Sequence, residues 1–356
     1  MTSALHGLRR LLAAGWFACA AASLAASEAG DRLRELAQER PGVAASARAL
    51  AWIRQHTRAD GRVDAPAAVA VTALAIKAHL AAGDGFAGER GPWLRRSLAA
   101  VLAAADPSGS FASADGGRMY THGIVALTLA ESLGEIGDAA LERRCRAGLE
   151  RGVALILRAS AVAKAPGHRG GWRYSIGDEA SDLSVTAWQV QALLAARSAG
   201  IAVDPAVLAA AGAYARGLIA ADGRVGYDAP PGNDHPALRG SALVVLAAPL
   251  AATAAAGDPL LARIAGRVRA DPIAWGGEWF FYRCYTDALA ARFSDEAAWQ
   301  RHARHVEALL CAQQSADGSW PVPPGGNEDG HGAAYRTAMA VLALSAERQF
   351  LPSFRR

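Results

Sequence analysis

Cysteine and methionine are scarce in this chain, at four and three of 356 residues. So few thiols cannot staple a chain of this length, and its order must come from apolar burial. Aromatics make up 7% against a hydrophobic content of 52%, so most of the apolar surface is alanine and leucine. Alanine favours helix and lets helices approach closely. No segment alternates apolar and polar residues over a useful length, which excludes a sheet. The net charge is only +4 and the arginines are scattered rather than striped, which argues against a nucleic-acid partner.

What the chain does have is a unit that recurs about every fifty residues. Gly-rich corners fall at Asp60-Gly61, Ser108-Gly109, Gly170-Gly171, Asp222-Gly223, Gly276-Gly277 and Asp317-Gly318. After them come the apolar runs Ala67–Leu80, Gly123–Leu133, Val185–Ala196, Ser241–Ala252, Tyr285–Ala291 and Tyr335–Ala346. More charged stretches such as Leu141–Ser160 and Glu296–Gln314 precede the corners. An apolar helix and an amphipathic helix alternating six times predict an all-α double ring, apolar helices inside. One copy cannot bury its apolar face alone, so residues 28–356 read as a single domain.

The first 27 residues read as a secretory signal. Arg9-Arg10 supplies the basic region, Leu11–Ala22 the apolar stretch and Ala25-Ala-Ser27 the small residues for cleavage. The expected location is periplasmic or extracellular, with no membrane span in the mature chain. Trp16-Phe17-Ala18 before Cys19 makes a poor lipid-attachment box. Cys145, Cys284 and Cys311 remain after cleavage, and Cys284 and Cys311 lie on adjacent helices where they could meet.

Gln314-xxx-Gly318-x-Trp320 matches the QW motif of squalene and oxidosqualene cyclases. Gly171-Trp172 followed by Asp182-Leu183-Ser184-Val185-Thr186-Ala187 resembles the segment around their catalytic Asp-x-Asp-Asp-Thr-Ala. Tyr335-Arg336-Thr337-Ala338 is similar to a helix start of protein prenyltransferase β subunits. The chain thus resembles the terpene cyclase and protein prenyltransferase superfamily over roughly residues 45–350. That resemblance implies an (α/α)6 toroid.

The chemistry it would imply is incomplete. Ser184 stands at the central aspartate of the cyclase motif and Val185 at the last, leaving Asp182 alone. No Asp-Asp-x-x-Asp cluster is present for Mg²⁺-assisted loss of diphosphate. Of the three zinc ligands of the prenyltransferases, Tyr282-Arg283-Cys284 and Arg336 retain only the cysteine, and arginine cannot ligate zinc. No metal or cofactor is expected.

The loops before the inner helices would ring one mouth of the toroid. The acid–base candidates there are Asp182 and His122, with Asp182 also a good helix N-cap. Trp172, Tyr174, Trp188, Tyr282 and Tyr285 could wall an apolar cavity. Arg283, Tyr335 and Arg336 complete the candidate ligand-binding set, beside helix N-termini that favour anions. The leading expectation is a protein that binds an apolar or amphiphilic small molecule, or a peptide. Two enzyme readings stand beside it: isoprenoid processing with Asp182 as acid, and carbohydrate chemistry with a carboxylate pair such as Asp182 with Asp228 or Glu278.

Overall fold

Two concentric layers of helix organise the chain. The computed structural model describes residues 40–112, 118–250, 257–290 and 296–346; the segment expected to be a secretory signal, with Cys19, lies outside them. The outer helices are α1 (Pro41–Gln55), α3 (Gly91–Leu102), α5 (Ala139–Ser160), α7 (Pro205–Gly217), α9 (Pro259–Ala270) and α11 (Glu296–Gln313). The inner helices are α2 (Ala68–Ala81), α4 (Arg118–Ser132), α6 (Leu183–Ser198), α8 (Arg239–Ala247), α10 (Phe280–Ala290) and α12 (Gly332–Ser345). Each inner helix packs on the next, and α12 returns to α2, so the inner layer is a closed ring. The described residues contain no strand, only isolated bridges across three of the corners.

The apolar runs became inner helices because they are apolar all round. Every residue of α2 is buried, whereas α9 buries only Leu261, Ile264 and Ala265 on one face. A helix that is apolar on every side must be covered on every side. Two inner helices begin a full turn or more ahead of their apolar runs: α4 at Arg118 and α10 at Phe280. Tyr120, His122 and Tyr282 are therefore helical, not loop, residues.

The corners hold the layers together. Gly170 has φ +90°, and a Cβ there would lie 2.1 Å from the Ala210 carbonyl oxygen of α7. Only glycine allows both that dihedral and that approach. Gly318 repeats the arrangement against Arg48 O of α1, where a Cβ would come within 2.7 Å. This contact joins the last corner to the first outer helix and closes the outer layer. Gln314 Nε2 reinforces it by donating to Ala45 O and Gly318 O, both at 2.9 Å. Trp320 is fully buried and donates Nε1–H to Leu310 O at 2.9 Å. The glutamine and tryptophan of the QW pattern thus act as local staples.

At three corners a backbone N–H two residues past the corner glycine turns inward, and an inner-helix side chain captures it. Val63 N donates to Thr72 Oγ1 at 2.8 Å, Trp172 N to Thr186 Oγ1 at 3.0 Å, and Phe111 N to His122 Nδ1 at 3.1 Å. In the last repeat Arg336 takes the corresponding place and donates from Nε to Trp320 O at 3.2 Å. A buried backbone group left without a partner would be costly, and these four inner-helix side chains remove that cost at their corners.

Deep in the ring, α2 and α4 are cross-linked by the ion pair of Lys77 Nζ with Glu131 Oε2, both side chains fully buried. Burial drives the Lys77 pKa down and the neighbouring carboxylate raises it again. Removing one member leaves an uncompensated charge, whereas replacing both with apolar groups does not. Lys77→Met alone should lower unfolding free energy by about 3–5 kcal/mol, and the double variant with Glu131→Leu should recover most of that loss. Denaturant unfolding checks both.

Candidate active site at the mouth of the inner ring

Asp182 is placed by the third corner. Its N–H donates to Trp172 O at 2.9 Å across the corner bridge, and its Oδ1 accepts from Val185 N at 2.8 Å, capping α6. Oδ2 is buried and has no hydrogen-bond partner. The Arg173 guanidinium stands 3.8 Å from it but makes its direct bond, at 2.9 Å, to Asp228. Desolvation dominates over the cap and Arg173, and pushes the Asp182 carboxyl up to about 6.

Tyrosines surround this carboxyl. Tyr174 and Tyr227 share a 2.6 Å hydroxyl–hydroxyl bond, and the Arg173 guanidinium lies over both rings, 4.9 and 5.5 Å from their centroids. Tyr120 packs against Tyr174 with ring centroids 6.0 Å apart. The hydroxyls of Tyr120 and Tyr227 are held protonated, first by burial and then by the charge of Asp182. Either hydroxyl can be the donor in the Tyr174–Tyr227 bond, and Tyr227 also lies close enough to Asp182 to stabilise its charge.

The inner ring continues the site. Ser184 donates to the Tyr282 hydroxyl at 3.1 Å, and Ser241 shares a 2.8 Å bond with it. The two positions at which the sequence departs from the motifs it resembles thus meet in one hydrogen bond. Trp188 stacks on Tyr285 with centroids 5.4 Å apart and planes 10° apart, and it packs against Tyr282 at 6.4 Å. Tyr285 donates to Gln191 Oε1 at 2.7 Å. Ser184, Trp188 and Gln191 follow i, i+4, i+7 spacing on α6, which puts them on one stripe.

A second buried carboxylate sits across the mouth. Glu328 accepts from Phe281 N at 2.9 Å and Tyr282 N at 3.1 Å, capping α10, and from the Tyr335 hydroxyl at 3.3 Å. Burial raises its pKa against those bonds. From it an aromatic series runs outward: Tyr335 to His331 at 5.0 Å, and His331 to Trp279 at 5.9 Å. Trp279 is 41% exposed and holds φ +55°, a strained setting for a bulky residue.

The sequence candidates separate into two groups. Asp182, Tyr174, Trp188, Tyr282, Tyr285 and Tyr335 converge on the mouth and its lining. Trp172, His122, Arg283 and Arg336 do not. Trp172 is buried and donates Nε1–H to Ile156 O at 2.9 Å. His122 has both ring nitrogens engaged, Nδ1 by Phe111 N and Nε2 at 3.0 Å from Gly152 O, so it does not pair with Asp182. Arg283 bonds Asp271 and Asp287, and Arg336 bonds the Trp320 carbonyl and Asp329. These four serve the corners and the rim. Cys284 and Cys311 are both free thiols. No cluster of histidine, cysteine and carboxylates among the described residues has metal-binding geometry. Asp182 and Asp228 converge on the single Arg173 guanidinium, which uses Asp228 as an ion-pair partner.

Tyr120, Tyr227, Ser241 and Glu328 are site residues that sequence reasoning missed. One signal was available for Tyr120. Aligning His122 on Thr186 by their shared role puts Tyr120 on Ser184. Glu328 gave no signal, because its place depends on a loop folding back over another helix.

The Asp182 shift has a signed consequence. Between its ordinary value near 3.8 and about 6, the folded protein holds a proton that the unfolded chain has lost. Stability therefore falls as pH rises through that window. Asparagine keeps the cap and cannot ionise. Asp182→Asn should match the parent at pH 4 and exceed it by up to ~2 kcal/mol at pH 8; thermal unfolding across pH reads the difference.

No family model matches the chain, and no curated protein matches it. Solved structures do. The type II terpene cyclase MstE from Scytonema, as a variant in complex with its substrate geranylgeranyl dihydroxybenzoate, is similar over 87% of this chain and 98% of its own, with TM-score 0.55 and 15% identity. The same enzyme without ligand is similar over 87% of this chain and 99% of its own, with TM-score 0.53 and 16% identity. The architecture, a closed double ring of helices, is a terpene-cyclase-like fold.

Proposed function

We propose that this protein binds an amphiphilic isoprenoid-type ligand at the mouth of the inner ring. The apolar chain packs against Trp188, Tyr282 and Tyr285. The polar end donates a hydrogen bond to Asp182 Oδ2. The observation that carries this reading is the buried Asp182 Oδ2, which has no hydrogen-bond partner and lies among tyrosine rings with Arg173 at 3.8 Å. A buried acceptor of this kind favours a donor group on the ligand. The similar cyclase, whose substrate joins a geranylgeranyl chain to a dihydroxybenzoate head, offers a ligand of that class.

A second reading is favoured by the Asp182 carboxyl at about 6, which keeps a protonated fraction at neutral pH. In it Asp182 gives its proton to the bound ligand and the tyrosine rings face the resulting cation. Ser184 and Val185 supply no second carboxylate to strengthen the acid, so binding without turnover is the stronger reading. Export, on the strength of Arg9-Arg10 and the following apolar stretch, belongs to the same proposal; no described helix is long and apolar enough to cross a membrane.

Solvent extraction of the purified protein followed by mass spectrometry should recover a prenyl-chain amphiphile. Trp188→Ala, still folded by circular dichroism, should retain at least tenfold less. An extract without such a compound, together with no calorimetric binding of geranylgeraniol or geranylgeranyl dihydroxybenzoate, overturns the proposal. Cyclised products from either compound, lost in Asp182→Asn, would select the second reading.

A further inference from the structure

A cavity of about 340 Å³ opens on the outer wall, between α9 and α11, and reaches inward to α8 and α10. Its floor is apolar: Leu243, Ala265, Ala290 and Ala298 are all buried. Its polar lining is Arg269, Arg301, His302 and His305, with no carboxylate among the described lining residues. That bias runs against the local pattern. Arg267 on α9 pairs with Asp222 and Asp234, and Arg283 on α10 pairs with Asp271 and Asp287. Arg269 and Arg301 have no hydrogen-bond or ion-pair partner among the described residues.

A third polar group points the same way. His302 stacks on the buried Trp299, with ring centroids 6.2 Å apart, and its Nε2 is buried without a partner. Burial first, then His305 and Arg283, hold its pKa down at about 4, so it is neutral at pH 7 and can donate one N–H without adding charge. His305 is already committed through Nε2 to Ile273 O at 2.6 Å. The site therefore offers two guanidiniums and one imidazole above an apolar floor. The volume is at the small end of ligand pockets. Guanidiniums without carboxylate partners repel cations and suit carboxylate or phosphate oxygens. The apolar floor disfavours a bare inorganic anion.

We propose that this outer-wall cavity is a second binding site, for the monomer of an amphiphile with an oxyanion head and a short alkyl chain. The head sits between Arg269 and Arg301 with His302 donating to it, and the chain covers Leu243 and Ala290. The site is independent of the mouth and stands whether or not the mouth binds an isoprenoid.

Calorimetric titration with octyl phosphate, octanoate and octanol, each below its micellar concentration, tests the proposal. Saturable binding of the two anions is expected, with octanol at least tenfold weaker. The double variant Arg269→Gln, Arg301→Gln should lose at least tenfold in affinity for the anions. Both side chains are exposed, so its melting temperature should stay at the parent value. Asp182→Asn should bind the anions as the parent does. Equal affinity for octanol, an unaffected double variant, inorganic phosphate binding as tightly as octyl phosphate, or recruitment only to anionic vesicles would each overturn it.

Discussion

The close contact between a corner glycine and the next outer helix is the constraint on which the rest of this fold depends. At Gly170 and Gly318 the backbone of one unit lies against the backbone of the next, with no space for a Cβ. That contact sets the distance between neighbouring units and forces the following N–H groups inward. Thr72, His122 and Thr186 then capture those groups from the inner helices. Outer helix, corner and inner helix are thereby tied within each unit, and Gly318 against Arg48 repeats the tie across the chain ends. Because each unit touches only its neighbours, closure converts a row of weakly stable copies into one cooperative body.

The same device produces the mouth. Trp172 and Asp182 bridge the third corner, so the geometry that makes the turn also fixes the carboxyl at the head of α6. One carboxylate oxygen caps the helix, and the other is left buried with no partner. Ser184 and Tyr282, on facing inner helices, hydrogen-bond each other beside it. The result is an aromatic, hydroxyl-rich cluster of side chains around one buried carboxyl.

Much of the ring was legible in the sequence because its signals are local and repeated. Corner glycines, all-apolar inner runs and the amphipathic outer helices each mark one element, and α6 and α11 fall within two residues of the expected spans. The site was only partly legible. Trp188, Tyr282 and Tyr285 face together because helical spacing puts them there. His122 and Arg336 were attractive by residue type, yet His122 accepts a corner N–H as Thr72 and Thr186 do, and Arg336 donates to a corner carbonyl, duties that appear only when corner backbone groups are traced to their partners. Glu328 reaches α10 from a distant loop, a pairing that no local pattern encodes.

The central claim is that the unpartnered oxygen of Asp182 receives the polar end of an apolar ligand. A crystal structure of the protein grown with geranylgeraniol tests it directly. The account predicts a chain along Trp188 and Tyr282, with its hydroxyl within hydrogen-bonding distance of Asp182 Oδ2. A chamber closed by its own side chains, or a ligand whose hydroxyl lies elsewhere, would contradict it.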